Sequence, residues 1–212
     1  MLNMMDSAID STCNFFNDEY NSFLPINYDA KRCLFLLSKL FPVFSKYPQF
    51  FENKDILDFG SGQGEHTYLL SHFANKVYSY DLSRVNMLRQ FKMFYDRENI
   101  KILRSENECF GKFDTFIAIS LLHLIEDQVK WISELKKNIV AEKYIFISSY
   151  HEEVDIEDTR TDNYENFFSR QTKPFKYPSF DDLHDTFSTH GPVERFDFKD
   201  NLGVSRVALI LN

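Results

Sequence analysis

The chain has 212 residues, 43% hydrophobic, 17% aromatic and 26% charged, which excludes the disordered and collagen-like classes and points to one elaborated domain around a single sizeable core. Its 24 Lys and Arg against 32 Asp and Glu leave a net charge of −8, which disfavours nucleic acid as a partner bound through its phosphates. Apolar runs such as Cys33 to Leu37 and Thr115 to Leu122 fall far short of the roughly 18 residues of a membrane span, and the first residues lack signal-peptide character, so a cytoplasmic protein without a membrane anchor is expected.

Prolines at Pro25, Pro42 and Pro48, and again at Pro174, Pro178 and Pro192, flank a long proline-free middle. Before it, Ser7 to Tyr20 and Asp29 to Phe41 carry apolar residues at mixed three and four spacing, which predicts two amphipathic helices forming a cover over residues 1–48. Within residues 49–212, β-rich runs at Ile56 to Phe59, Lys76 to Tyr80, Ile100 to Leu103, Phe113 to Ser120 and Tyr144 to Ser148 alternate with helical patterns. The helices are expected at Glu65 to Phe73, Ser83 to Tyr95 and Asp127 to Asn138. Alternation of this kind implies parallel strands with right-handed crossovers, hence a doubly wound α/β sheet. Tyr150 to Ser179 shows no periodicity over about thirty residues and reads as a lid, or as an acidic turn followed by aromatics packed on the core. Val193 to Phe198 and Val204 to Leu211 are joined too closely for a crossover and must form an antiparallel hairpin. Cys13, Cys33 and Cys109 are unclustered, which predicts reduced thiols and no metal site.

Three of the six glycines lie in Asp58-Phe59-Gly60-Ser61-Gly62-Gln63-Gly64. Glycines between a buried strand and a helix permit a tight turn and close approach of a ligand to the backbone, so the segment reads as a nucleotide-type cofactor loop; the alternative is a ligand-free strand-to-helix turn. Dinucleotide loops need G-x-G-x-x-G, but Glu65 stands in place of the third glycine and Asp58 precedes the first, and both carboxylates repel a pyrophosphate. Asp58 suits a cationic group, and the loop amides suit a carboxylate. Asp81 follows Gly60 by 21 residues, the spacing at which an acidic residue reaches ribose hydroxyls. The pattern describes a cofactor made of adenosine and an amino acid.

These segments resemble the class I, seven-stranded S-adenosylmethionine-dependent methyltransferases. Asp55 to Gly64 is similar to their first motif, Val77 to Ser83 to the strand bearing the ribose-binding acid, and Phe113 to Asp127 to the fourth strand and the turn after it. The resemblance spans about Asp55 to Leu211. It implies a mostly parallel sheet of order 3-2-1-4-5-7-6, S-adenosylmethionine as cofactor, S-adenosylhomocysteine as product, and a cofactor site formed by Asp58, Gly60, Ser61, Gly62, Gly64, Asp81, Leu82, Glu106, Asn107 and Ser120, with Glu106 and Asn107 set against the adenine amine.

Methyl transfer is an in-line displacement that depends on alignment more than on an elaborate set of acids and bases. An oxygen acceptor benefits from a general base, and His123 and His151, each following a strand end, are the candidates; either is also compatible with a capping or exposed histidine. The chain has Ser120-Leu121-Leu122-His123 where enzymes acting on base or amide nitrogens carry Asp/Asn-Pro-Pro-Tyr, and no cysteine follows a proline. With the acidic charge, this favours a small-molecule oxygen or nitrogen acceptor. The alternatives are a protein- or RNA-directed enzyme of the same fold and a binding module that transfers nothing. The sequence leaves the oligomeric state open.

Overall fold

A computed structural model describes residues 30–149, apart from 123, 124 and 126, and residues 180–212. In chain order they form α1 (Ala30–Lys46), β1 (Asp55–Phe59), α2 (Glu65–Ser71), β2 (Lys76–Tyr80), α3 (Arg84–Met93), β3 (Ile100–Ile102), β4 (Gly111–Ile119), α4 (Gln128–Asn138), β5 (Ile139–Ser149), α5 (Phe180–Ser188), β6 (Val193–Lys199) and β7 (Ser205–Leu211). The helix expected at Ser7 to Tyr20 and the segment from Tyr150 to Ser179 lie outside the described residues.

The central strands are apolar on both faces because both faces are covered. Along β1, Ile56 joins a core with α1, α2 and α3, while Leu57 joins a second core with α4 and α5. Along β7, Ala208 and Ile210 point to the first core, and Val207, Leu209 and Leu211 to the second. The seven strands run in the order β3-β2-β1-β4-β5-β7-β6. β1 pairs parallel with β2 and β4, β2 with β3, and β4 with β5, whereas β7 is antiparallel to both β5 and β6. This is the doubly wound sheet with its terminal hairpin that the alternation of elements predicts.

A buried ion pair closes that hairpin. Arg206 donates through Nε (2.9 Å) and a terminal nitrogen (2.6 Å) to Asp200 Oδ2, and the other carboxylate oxygen accepts from the N–H groups of Leu202 and Val204.

Two boundaries lie furthest from expectation. α1 continues through Pro42 to Lys46, because Val43 and Tyr47 beyond the proline are buried with Leu36, Leu37 and Leu40, and that burial outweighs the lost backbone bond. β5 begins at Ile139 rather than Tyr144, because Gly111, Lys112 and Phe113 of β4 offer partners to Ile139, Val140 and Ala141.

Candidate cofactor and active site

The carboxyl ends of β1, β2 and β4 meet around the glycine loop. β1 ends in Asp58 and Phe59, and the chain then turns through Gly60, Gly62 and Gly64, all at positive φ (+76°, +60° and +93°). Gly64 opens α2 in a left-handed conformation, and a Cβ there would come within 2.7 Å of the Phe94 ring, so only glycine fits. At Gly62 none of the described residues lies within 4 Å of the place a Cβ would occupy, which leaves open space against bare backbone among them.

The loop is tied down from β2. The Tyr80 carbonyl accepts from the N–H groups of Gly60 (2.8 Å) and Ser61 (3.0 Å) and from Ser61 Oγ (3.1 Å). The Gly62 N–H donates to Asp81 Oδ2 at 2.8 Å, and the Gly64 N–H to the Ser61 carbonyl at 3.0 Å. These four amides are therefore spent within the fold, which corrects the expectation that they receive a ligand carboxylate: what these four glycine-loop residues offer is close approach rather than free donors. The other oxygen of Asp81 accepts from the Ser83 N–H (2.8 Å) and Asn86 Nδ2 (3.1 Å).

Asp58 is buried behind the loop. Thr67 Oγ1 shares a 2.6 Å hydrogen bond with its Oδ2, yet burial, reinforced by the negative charges of Asp81 and Glu65, pushes the carboxyl up to about 7. Thr67 also touches Ser79 Oγ at 3.0 Å, and Ser79 Oγ donates to Gln90 Oε1 at 2.6 Å. Gln90 Nε2 in turn donates to Ser61 Oγ and to the Gly62 carbonyl, both at 2.8 Å. One buried chain of side chains thus runs from Asp58 through α2, β2 and α3 back to the loop.

β4 closes the site from the other side. Ser120, just past its end, adopts φ +55°, a conformation that non-glycine residues hold at a cost and that recurs at functional sites. Its N–H donates to the Ile147 carbonyl at 2.7 Å, but its buried Oγ has no hydrogen-bond partner among the described residues. A Cβ on Gly60 would come within 3.0 Å of a Leu121 methyl, so the turn after β4 packs on the glycine loop. Leu82, next to Asp81, is 86% exposed. Glu106 and Asn107 are exposed in a short 3-10 turn (Glu106–Cys109) after β3. Burial, then Glu106, then the Cys109 thiol and Asp81 raise the Tyr80 hydroxyl above its ordinary value.

Asp58, the glycine loop, Asp81 and Ser120 thus lie at the ends of β1, β2 and β4, with Leu82 next to Asp81 and with Glu106 and Asn107 in the turn after β3. His123 and His151 lie outside the described residues. Thr67, Ser79, Asn86 and Gln90 were missed from sequence. No signal in the sequence marks them: in α3 the residues that turn inward are Asn86, Gln90 and Met93, while Val85 and Leu88 are exposed, an inverted amphipathicity that only the folded helix reveals. Among the described residues no group of three or more His, Cys, Asp or Glu side chains is arranged to hold a metal ion.

No curated protein matches the chain. Solved structures do. A SAM-dependent methyltransferase from Aquifex aeolicus is 18% identical with a TM-score of 0.59, covering 83% of this chain and 92% of its own. A magnesium protoporphyrin IX methyltransferase from Synechocystis, solved with bound SAH, is 14% identical with a TM-score of 0.62 over 97% of this chain and 100% of its own. The DhpI–SAH complex is 14% identical with a TM-score of 0.59 over 99% and 97%. At these identities the likeness is one of fold. The family model described as "Methyltransferase domain" matches residues 28–191, and with that match the chain belongs to the methyltransferase-domain family.

Proposed function

We propose that the chain transfers a methyl group from S-adenosylmethionine to an oxygen or nitrogen of a small molecule. The observation that carries the cofactor reading is a glycine loop backed by carboxylates: Asp58 is buried behind it, Asp81 is bonded to it, and Glu65 follows it. Such a loop opposes a pyrophosphate and favours a ligand carrying positive charge. The residues fit the group: among the described residues, the open space at Gly62 and the buried Ser120 Oγ without a partner are what a ligand laid against the loop would fill and satisfy.

Asp58 would hold the ammonium of the amino acid tail. Asp81 gives three of its lone pairs to Gly62, Ser83 and Asn86; the one left on Oδ2 would accept a ribose hydroxyl. Leu82 would cover the purine with its apolar face, and Glu106 or Asn107 would meet the adenine amine. When bound, the cofactor supplies a methyl group on a cationic sulfonium, open to in-line attack. The protein's share is to align the acceptor, exclude water and, for a hydroxyl acceptor, remove a proton through His151 or His123. Incubating the protein with cell extract and cofactor labelled in its methyl group tests the acceptor class. Label in the small-molecule fraction is expected; label confined to protein or RNA would overturn it.

A further inference from the structure

The buried chain from Asp58 to the glycine loop contains a constraint on where hydrogens sit. Gln90 touches the Gly62 carbonyl at 2.8 Å, and only its NH2 can face a carbonyl, so its Oε1 must face Ser79. Oε1 cannot donate, so the single hydrogen of Ser79 Oγ is committed to that 2.6 Å contact. The 3.0 Å contact between Thr67 and Ser79 then needs the hydrogen of Thr67. If Thr67 gives it there, the 2.6 Å contact between Thr67 and Asp58 must be bridged by a hydrogen on Asp58 itself. Three contacts need three hydrogens, and the two hydroxyls own two.

We infer that the cofactor-free protein holds a proton on Asp58 and that the cofactor's ammonium group expels it, reversing the hydrogen bond between Asp58 and Thr67. The inference rests on the cofactor reading above. With the proton in place, Asp58 donates to Thr67, Thr67 to Ser79 and Ser79 to Gln90, and every contact is filled. Without it, Thr67 turns to the carboxylate and two lone pairs face each other between Thr67 and Ser79. Thr67, Ser79 and Gln90 are fully buried, where an unfilled contact costs most. The surroundings act the same way. The charges acting on Asp58 are Asp81 after β2 and Glu65 at the start of α2, both acidic, and its β4 neighbour in register is the apolar Ile117. An arriving ammonium keeps its own hydrogens and offers the carboxylate a positive partner, and the Asp58 proton leaves to solvent.

The test is calorimetric titration of the whole chain with S-adenosylhomocysteine at pH 6, 7 and 8, in two buffers of different ionisation enthalpy. Close to one proton should be released per ligand bound at pH 6 and almost none at pH 8, with affinity falling by up to about tenfold per pH unit below neutrality. Asp58→Asn should abolish the release. Ser79→Ala frees Thr67 to serve an ionised Asp58 and should move the release to lower pH. Binding without proton release from pH 6 to 8, or a release profile unmoved in Ser79→Ala, would overturn the inference and leave the cofactor reading intact. No binding at any pH would overturn the cofactor reading, and the inference with it.

Discussion

The backbone N–H of Gly62 donates to the Asp81 carboxylate at 2.8 Å, so the residue assigned to the ribose also holds the loop assigned to the methionyl tail. Asp81→Ala should weaken S-adenosylhomocysteine binding by about 1.5–3 kcal/mol, the scale of charge-assisted hydrogen bonds. It should also lower the melting temperature by about 2–4 °C, since Gly62, Ser83 and Asn86 lose an acceptor. Calorimetry and thermal melts check both. Unchanged affinity with a large thermal loss would make Asp81 purely structural.

Asp58 trades stability for binding. Its carboxyl is raised from 3.8 to about 7 in the fold, so between those values the folded chain holds more protons than the unfolded chain. Its contribution is complete below about pH 4 and is lost as pH rises through about 7. Asp58→Asn should therefore match the parent near pH 4, exceed it by about 1–3 kcal/mol at pH 8, and bind cofactor less well. Denaturant titrations at the two pH values measure this; equal stability of the two proteins at pH 8 would contradict it.

Two glycines in one loop should separate folding from binding. Gly64→Ala puts a methyl 2.7 Å from the Phe94 ring at φ +93°, and should cost about 2–4 kcal/mol of stability. Gly62→Ala meets none of the described residues within 4 Å and pays only for its left-handed backbone, about 1 kcal/mol, but fills the space the cofactor is assigned. It should lose affinity out of proportion to its loss of stability.

The strand order and the positions of Gly60, Gly62, Gly64 and Asp81 were legible in the sequence because each follows from a local rule: two-sided apolar strands, glycines at a strand-to-helix turn, an acid at a strand end. The Thr67–Ser79–Gln90 chain was not, because its members come from three elements and each looks unremarkable in its own. The fate of the loop amides was equally hidden. Only the folded path brings the Tyr80 carbonyl and the Asp81 carboxylate against them. Pro42 misled in the ordinary way, as a local helix breaker overruled by burial on either side of it.

If the acceptor is a hydroxyl, one of His123 and His151 should act as base. Replacing that histidine with alanine should cut turnover by roughly 100- to 10,000-fold with cofactor affinity unchanged. His151 is favoured, since it opens the long segment after β5 while His123 stands among leucines. Near-parental turnover in both variants would remove histidine base catalysis and point to an amine acceptor or to alignment alone.

A glycine loop backed by Asp58 and Asp81 should select S-adenosylmethionine and reject a pyrophosphate. Parallel calorimetric titrations of the whole chain with S-adenosylhomocysteine and with NAD at pH 8 test it most directly. Saturable one-to-one binding of S-adenosylhomocysteine is expected, with no heat of binding for NAD. Tight NAD binding with no response to S-adenosylhomocysteine would contradict it.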